Sequence, residues 1–312
     1  MHVINILAPV FILVALGAAL FRVGFTDKAF FNGCSKLTYW IGIPCLLLYQ
    51  ISTSRFNLGG AWKVFLAMVA ASVVVALLGA AAAWLLKLGP NRRKTFIHTS
   101  FHCNTAFVGL PVVIYALGSS PDSKSLLELA SMAVAPTVPI INIMSVLVLN
   151  GSELSRRGTI LSLLGKKILL NPMVLACLLG MAISFSGLPL PLALGRGLDS
   201  LGKMALPLAL LSIGASLDLG KVRDSFGLAT LAAVFNVAVL PLVGLGFCRL
   251  WGLSGSETLI ALIFLACPTA SSAYIYAMQL KGDPAFAGNV IVLSTLLSAL
   301  SLWATLYFFM VA

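Results

Sequence analysis

Stretches of about 20 uncharged, apolar residues, the length a helix needs to cross a bilayer, recur along this chain from end to end, and two of them are interrupted near mid-length by proline in polar company. Of its 312 residues, 60% are hydrophobic and 9% are charged. No soluble core needs that much apolar surface, so the composition predicts an all-α polytopic membrane protein. The runs are continuous rather than alternating, which excludes a transmembrane β-barrel. A net charge of +11 would suggest nucleic acid in a soluble protein. Here it predicts loop charges that set topology, with the lipid bilayer as partner and no nucleic acid.

Ten spans are predicted, near residues 3–22, 35–53, 61–86, 95–117, 125–149, 170–186, 199–217, 226–250, 256–280 and 285–311. The first lacks a basic start and a clear small-residue cleavage site before Arg22, so it is expected to be a retained helix. The turns Gly89–Arg93, Gly118–Asp122 and Leu188–Pro191 punctuate the runs. Six cysteines lie in or beside apolar runs with no C-x-x-C pair, and read as small buried side chains. Of the 20 Lys and Arg residues, fourteen fall in the loops after spans 1, 3, 5, 7 and 9 and six on the opposite side. Those odd loops are therefore expected to be cytoplasmic, with both termini outside.

Pro9 and Pro172, Gly17 and Gly180, and Pro44 and Pro207 are each 163 residues apart. That shift lays spans 1 and 2 on spans 6 and 7 and predicts two five-helix repeats, 1–150 and 172–312, joined by a cytoplasmic linker at 151–171. Five is odd, so the second repeat would insert upside down, the inverted pattern of secondary transporters. The linker's Leu163–Leu170 stretch is open between a short interfacial helix and a plain basic connection.

The two interruptions carry the chemistry. One reads Asn104-Thr105-Ala106-Phe107-Val108-Gly109-Leu110-Pro111, and the other Pro268-Thr269-Ala270-Ser271-Ser272-Ala273-Tyr274. Backbone groups freed at bilayer depth cost several kcal/mol each in hydrocarbon (about 4–8 for a lone amide), so breaks survive only where protein or a watery cavity satisfies them. Proline sits well at the start of a helix, so new half-helices are expected near Gly109–Pro111 and Cys267–Thr269. Their N-termini, arriving from opposite leaflets, would offer N–H groups and two positive dipole ends to an anion. No Lys or Arg lies near either break. Asn104 is the first choice of ligand, with Thr105, Thr269, Ser271 and Ser272 as hydroxyl donors, Gly109, Pro111 and Pro268 as the breaks, and Tyr276 and Gln279 as weaker candidates. Asn142, Ser145, Gln50, Ser212, Ser216 and Asn236 either line the same cavity or join helices.

His98 and His102, at i and i+4, have the spacing of a metal pair but no neighbouring carboxylate and no zincin-like Glu, so a structural or pH-sensitive pair is the preferred reading. No metal or cofactor is predicted. Buried carboxylates for Na⁺ or proton relay are not evident in the spans, Asp199 and Asp218 lying at span ends.

At these residues the chain resembles the auxin efflux carrier family, which joins plant auxin exporters to bacterial organic-acid permeases. The resemblance is carried by Asn104–Pro111, Asn171-Pro172, Leu211-Ser212-Ile213-Gly214-Ala215-Ser216-Leu217, and Cys267–Ala270 followed by Tyr276-Ala277-Met278-Gln279. It implies a ten-helix inverted-repeat fold, akin to bile acid:sodium symporters, with crossed, broken helices 4 and 9. It further implies carboxylate substrates such as malate, malonate or an auxin-like acid, moved by an elevator-like rearrangement. Asn104, Gly109 and Pro111 match the first crossover and Pro268 the second. The long hydrophilic central loop of the plant members is not matched by 151–171. The resulting expectation is a non-enzymatic permease of small organic anions in a bacterial inner membrane. Coupling to Na⁺ or H⁺, and monomer or homodimer, stay open. An intramembrane metalloenzyme at His98 and His102 and a non-transporting receptor are the competing readings.

Overall fold

In a computed structural model the described residues, 2–53, 58–117, 122–150, 172–187, 189–216 and 225–310, are helical apart from turns and one isolated backbone bridge. The helices are α1 (His2–Arg22), α2 (Lys28–Leu37), α3 (Ile43–Ser52), α4 (Leu58–Leu85), α5 (Pro90–Phe101), α6 (Leu110–Leu117), α7 (Ser123–Asn150), α8 (Pro172–Ser186), α9 (Leu192–Ser216), α10 (Phe226–Val234), α11 (Leu240–Leu250), α12 (Gly255–Leu265), α13 (Ser272–Gln279) and α14 (Pro284–Met310). The predicted linker at 151–171 lies outside the described residues, as do Arg55, Asp218 and 118–121. Among the described residues five stretches are long and apolar enough to cross a membrane by length and composition: Gly60–Leu85, Ser123–Leu149, Leu192–Ala215, Phe226–Leu250 and Pro284–Phe309. Large apolar side chains such as Leu77, Trp84, Leu242, Leu300 and Phe308 are exposed, which suits lipid and not water.

Two helices begin earlier than their apolar runs. α2 starts at Lys28 because the Asp27 carboxylate accepts the Phe30 N–H as an N-cap. α9 starts at Leu192, and its first turns carry an exposed Lys203–Asp199 pair one turn apart.

Three of the prolines inside the helical runs are accommodated by one device. The five-residue π-turns Thr38–Gly42, Thr105–Gly109 and Phe235–Val239 each end two residues before a proline, namely Pro44, Pro111 and Pro241. Proline has no N–H and its ring collides with the carbonyl four residues back. Widening the turn moves that carbonyl aside: Ile43 and Leu240 donate instead to the Thr38 and Phe235 carbonyls, five residues back. Pro207 sits within α9 without such a turn.

The chain divides into two compact units, each drawing on both ends of the sequence. The first comprises 1–62, 106–139 and 163–216, and its main packing is α1 on α9 and α3 on α8 and α9. Small residues make these approaches possible: a Cβ on Gly42 would lie 2.5 Å from the Ala205 Cβ, and one on Gly202 2.9 Å from the Leu46 Cα. Ser212 donates to the Leu208 carbonyl (2.7 Å) and lies 3.3 Å from that of Phe31.

The second unit comprises 63–105, 140–162 and 217–312. Ala229, Ala232 and Ala233 flatten one face of α10, which buries Phe96 of α5 and Phe286, Val290 and Leu293 of α14. One end is tied by Asp283. Its carboxylate pairs with Arg92 at 3.0 Å and accepts the Phe286 N–H, and its own N–H donates to the Thr95 hydroxyl.

Candidate functional site

The second predicted interruption and the start of the first, Asn104 and Thr105, fall in this second unit, and there they meet. α5 stops at Phe101 and α12 at Leu265, and residues 102–104 and 268–270 of the two connections lie side by side. Cys103 and Thr269 form an antiparallel bridge, flanked by Asn104 N–H to the Pro268 carbonyl (2.8 Å) and Ala270 N–H to the His102 carbonyl (2.9 Å). Two breaks, each costly alone in hydrocarbon, thus satisfy one another through a two-bond ladder.

Side chains close the remaining backbone groups. The Thr269 N–H donates to Ser294 Oγ at 3.0 Å, and the Thr269 hydroxyl donates to the Thr99 carbonyl at 3.0 Å. Cys103 Sγ faces the Leu265 carbonyl at 3.6 Å, and Cys267 Sγ donates to that of Ile263 at 3.1 Å. The cysteines, expected only as small buried groups, therefore also serve as thiol donors to carbonyls that the broken helices leave open. Ser294 and Thr99 escaped the sequence reading. A serine in an apolar helix ordinarily bonds its own backbone, as Ser298 of α14 does, so nothing in the local pattern marks Ser294.

Asn104 and Thr105 are buried at the crossing, as are Pro268 and Thr269. Ser271 and Ser272 are half-buried at the start of α13, and Tyr276 is half-buried one turn on. Gly109 and Pro111 are buried in the first unit, where Pro111 lies in α6. The half-helix expected to start near Gly109–Pro111 resumes earlier, at Thr105, because the π-turn absorbs Pro111. The second resumes later than Cys267–Thr269, at Ser272, because 268–270 is committed to the ladder.

The starts of α12 and α13 differ. Ser254 and Glu257 close the first with a full capping box, whereas Ser271 makes no side-chain cap on the second. The first-turn N–H groups of Ala273 and Tyr274 donate to the Ala270 and Ser271 carbonyls at 2.9 and 3.3 Å, so what the start of α13 presents is its dipole and two half-buried hydroxyls.

The histidine pair adjoins the crossing. His98 Nε2 and His102 Nδ1 lie 2.7 Å apart, Ser145 Oγ stands 3.2 Å from His102 Nδ1, and the Tyr276 ring centroid is 5.7 and 5.8 Å from the two imidazoles. A metal on both rings would require that nitrogen–nitrogen bond to open. Among the described residues no group of three or more His, Cys, Asp or Glu is placed to hold a metal. Asn236 Nδ2 lies 3.7 Å from Cys103 Sγ. Of the other polar candidates, Asn142 is half-buried, and the side chains of Gln50, Ser216 and Gln279 lie outside the described set.

Thr269→Val keeps the shape and the backbone ladder but orphans the Thr99 carbonyl. Thermal unfolding in detergent should show a loss of about 1 kcal/mol. An unchanged midpoint would remove this hydroxyl from the crossing's supports.

A family model described as membrane transport protein matches residues 2–306. An uncharacterized transporter of Methanothermobacter thermautotrophicus is 26% identical over 297 residues, covering 94% of either chain. The chain thus belongs to the membrane transport protein family, that of the auxin efflux carriers, and is a multi-pass membrane transporter.

Proposed function

We propose that this transporter is a permease for small organic anions, mono- or dicarboxylates, which bind at the helix crossing. The observation that carries the reading is the self-satisfied ladder beside the start of α13, which no side chain caps. Its dipole, the hydroxyls of Thr105, Ser271 and Ser272, the Asn104 amide and Tyr276 can receive a carboxylate without a fixed cation. Each helix end favours an anion by about 0.3–1 kcal/mol, up to about 2 when partly buried, which suits a cargo that must also leave. Pro268 and Thr269 hold the crossing in shape. Gly109 and Pro111, in the other unit, are proposed from the motif alone.

The ten-span, inverted-repeat architecture, with repeats 1–150 and 172–312 and a cytoplasmic linker, belongs to the same proposal. The 163-residue shift carries α1 to α8 and α3 to α9, and the packing follows that exchange: α1 lies on α9, and α8 on α3. The bridge partners Cys103 and Thr269 are 166 residues apart, three from the same shift. In an elevator-like cycle we assign carriage of the cargo to the unit that holds the crossing. The loop charges favour termini outside the cytoplasm, in a bacterial inner membrane.

Counterflow tests the reading. Proteoliposomes loaded with unlabelled malate, malonate or an arylacetate should take up the labelled acid faster than empty ones. Binding in a thermal-shift screen without counterflow for any of these acids would replace the carrier with a receptor.

A further inference from the structure

The anion site leaves the buried histidine pair unexplained. His98 and His102 are both buried, and His98 Nδ1 has no hydrogen-bond partner among the described residues. Two neutral imidazoles hold two ring protons on four nitrogens. One of these protons lies in the 2.7 Å bond between His98 Nε2 and His102 Nδ1. The Ser145 hydroxyl donates to the Ile141 carbonyl at 2.7 Å, so toward His102 Nδ1 it offers lone pairs. Whichever way the inner bond points, a single outer nitrogen, His98 Nδ1 or His102 Nε2, is left without a proton. An added proton fills that lone pair and keeps the inner bond. A second would set two N–H groups head to head and break it.

We propose that the His98–His102 pair is a one-proton binding site that couples movement of the carboxylate to a proton gradient, proton and anion travelling together. The coupling rests on the anion-carrier reading above. In the loading step a hydronium ion gives up one O–H bond and leaves as water while an N–H bond forms on a ring lone pair, and the pair gains one positive charge.

The surroundings supply no counter-charge for it. Tyr276 of α13 and the thiols of Cys103 and Cys267 are the titratable groups at the crossing. The described residues 140–150 of α7, α10 and the π-turn Phe235–Val239 carry no charged residue, nor does α14. α4 brings only exposed Lys63, and α11 exposed Arg249 with the thiol of Cys248. α5 itself starts with exposed Arg92 and Arg93 and half-buried Lys94. The carboxylates among the unit's described residues are Glu257, bound in its capping box, and Asp283, paired with Arg92. A buried cation without a partner is strongly disfavoured, and the negative charge this site can admit is its cargo. Since the His102 carbonyl is itself a rung of the crossing, anion and proton favour one another, and by linkage the preference is reciprocal.

The chain has three histidines, His2, His98 and His102, so ¹⁵N-imidazole NMR of the full-length protein can follow the pair directly. Without an anion both rings should stay neutral from about pH 8 to about pH 5, where histidines ordinarily titrate, and saturating malate should bring the uptake of one proton into that range. Both rings staying neutral across the range with malate present would overturn the proposal. In proteoliposomes with an alkaline interior and an internal pH dye, wild type should accumulate malate and acidify the lumen. His98→Gln should keep counterflow yet accumulate roughly ten-fold less, as the coupling is lost. Equal gradient-driven accumulation by the variant would also refute the coupling. Wild type without counterflow for any carboxylate counts against the anion-carrier reading, and the NMR titration then decides the proton site alone.

Discussion

Asn104→Ala should lower the initial rate of carboxylate counterflow by roughly ten- to hundred-fold, from the loss of about 1.5–3 kcal/mol that a hydrogen bond to a charged group is worth. The variant separates chemistry from folding because Asn104 holds the crossing through its backbone: the N–H that reaches the Pro268 carbonyl at 2.8 Å is present in alanine as well. Size-exclusion profiles should therefore stay close to wild type while transport collapses. Asn104→Asp preserves the shape and replaces the amide's donors by a negative charge, so it should transport no better than the alanine variant and bind carboxylates more weakly still. Transport by Asn104→Ala within about twofold of wild type would take this side chain out of the site and leave only backbone and hydroxyl donors.

Much of this arrangement was legible because proline has few ways to sit in a helix. Pro111 and Pro268 marked the two breaks, and the polar residues around them marked places where freed backbone has to be satisfied. The positions of the helix restarts were not legible. Whether a proline opens a fresh helix or is absorbed by a π-turn depends on the carbonyl four residues before it, and Pro44, Pro111 and Pro241 take the second route. Partners remote in sequence were also hidden. Ser294 meets the Thr269 N–H across 25 residues, and Thr99 meets the Thr269 hydroxyl across 170. In composition neither differs from the many helical Ser and Thr that bond their own backbone. Asp283 was passed over because a carboxylate beside glycine and proline reads as a turn, yet it anchors the starts of both α5 and α14. His98 and His102 were legible as a pair by spacing alone; that the rings bond each other, with Ser145 alongside, required the fold.

Gly214→Ala should be the most destabilising single-methyl change in the first unit. A Cβ built there lies 1.8 Å from the Val14 carbonyl oxygen and 2.9 Å from the Ala18 nitrogen. The reverse contact is as tight: a Cβ on Gly17 lies 2.0 Å from the Leu211 carbonyl oxygen. The obstacles are backbone atoms of α1 and α9, so no side-chain rotation relieves them, and the two helices must separate along their shared face. Overfilling a packed interior typically costs about 1–3 kcal/mol where side chains can yield; with backbone on both sides, the loss should reach at least the top of that range. Glycines in membrane helices serve this close approach, since dispersion between near backbones replaces the hydrophobic drive that lipid removes. Gly197→Ala is the matched control, because it lies in the same helix α9 with nothing within 4 Å of the added carbon. There the methyl restricts the unfolded chain and favours helix, a gain of about 0.5–1 kcal/mol. Detergent melting curves of the two variants should therefore move in opposite directions. A Gly214→Ala midpoint at or above that of wild type would show that α1 and α9 do not approach through this glycine.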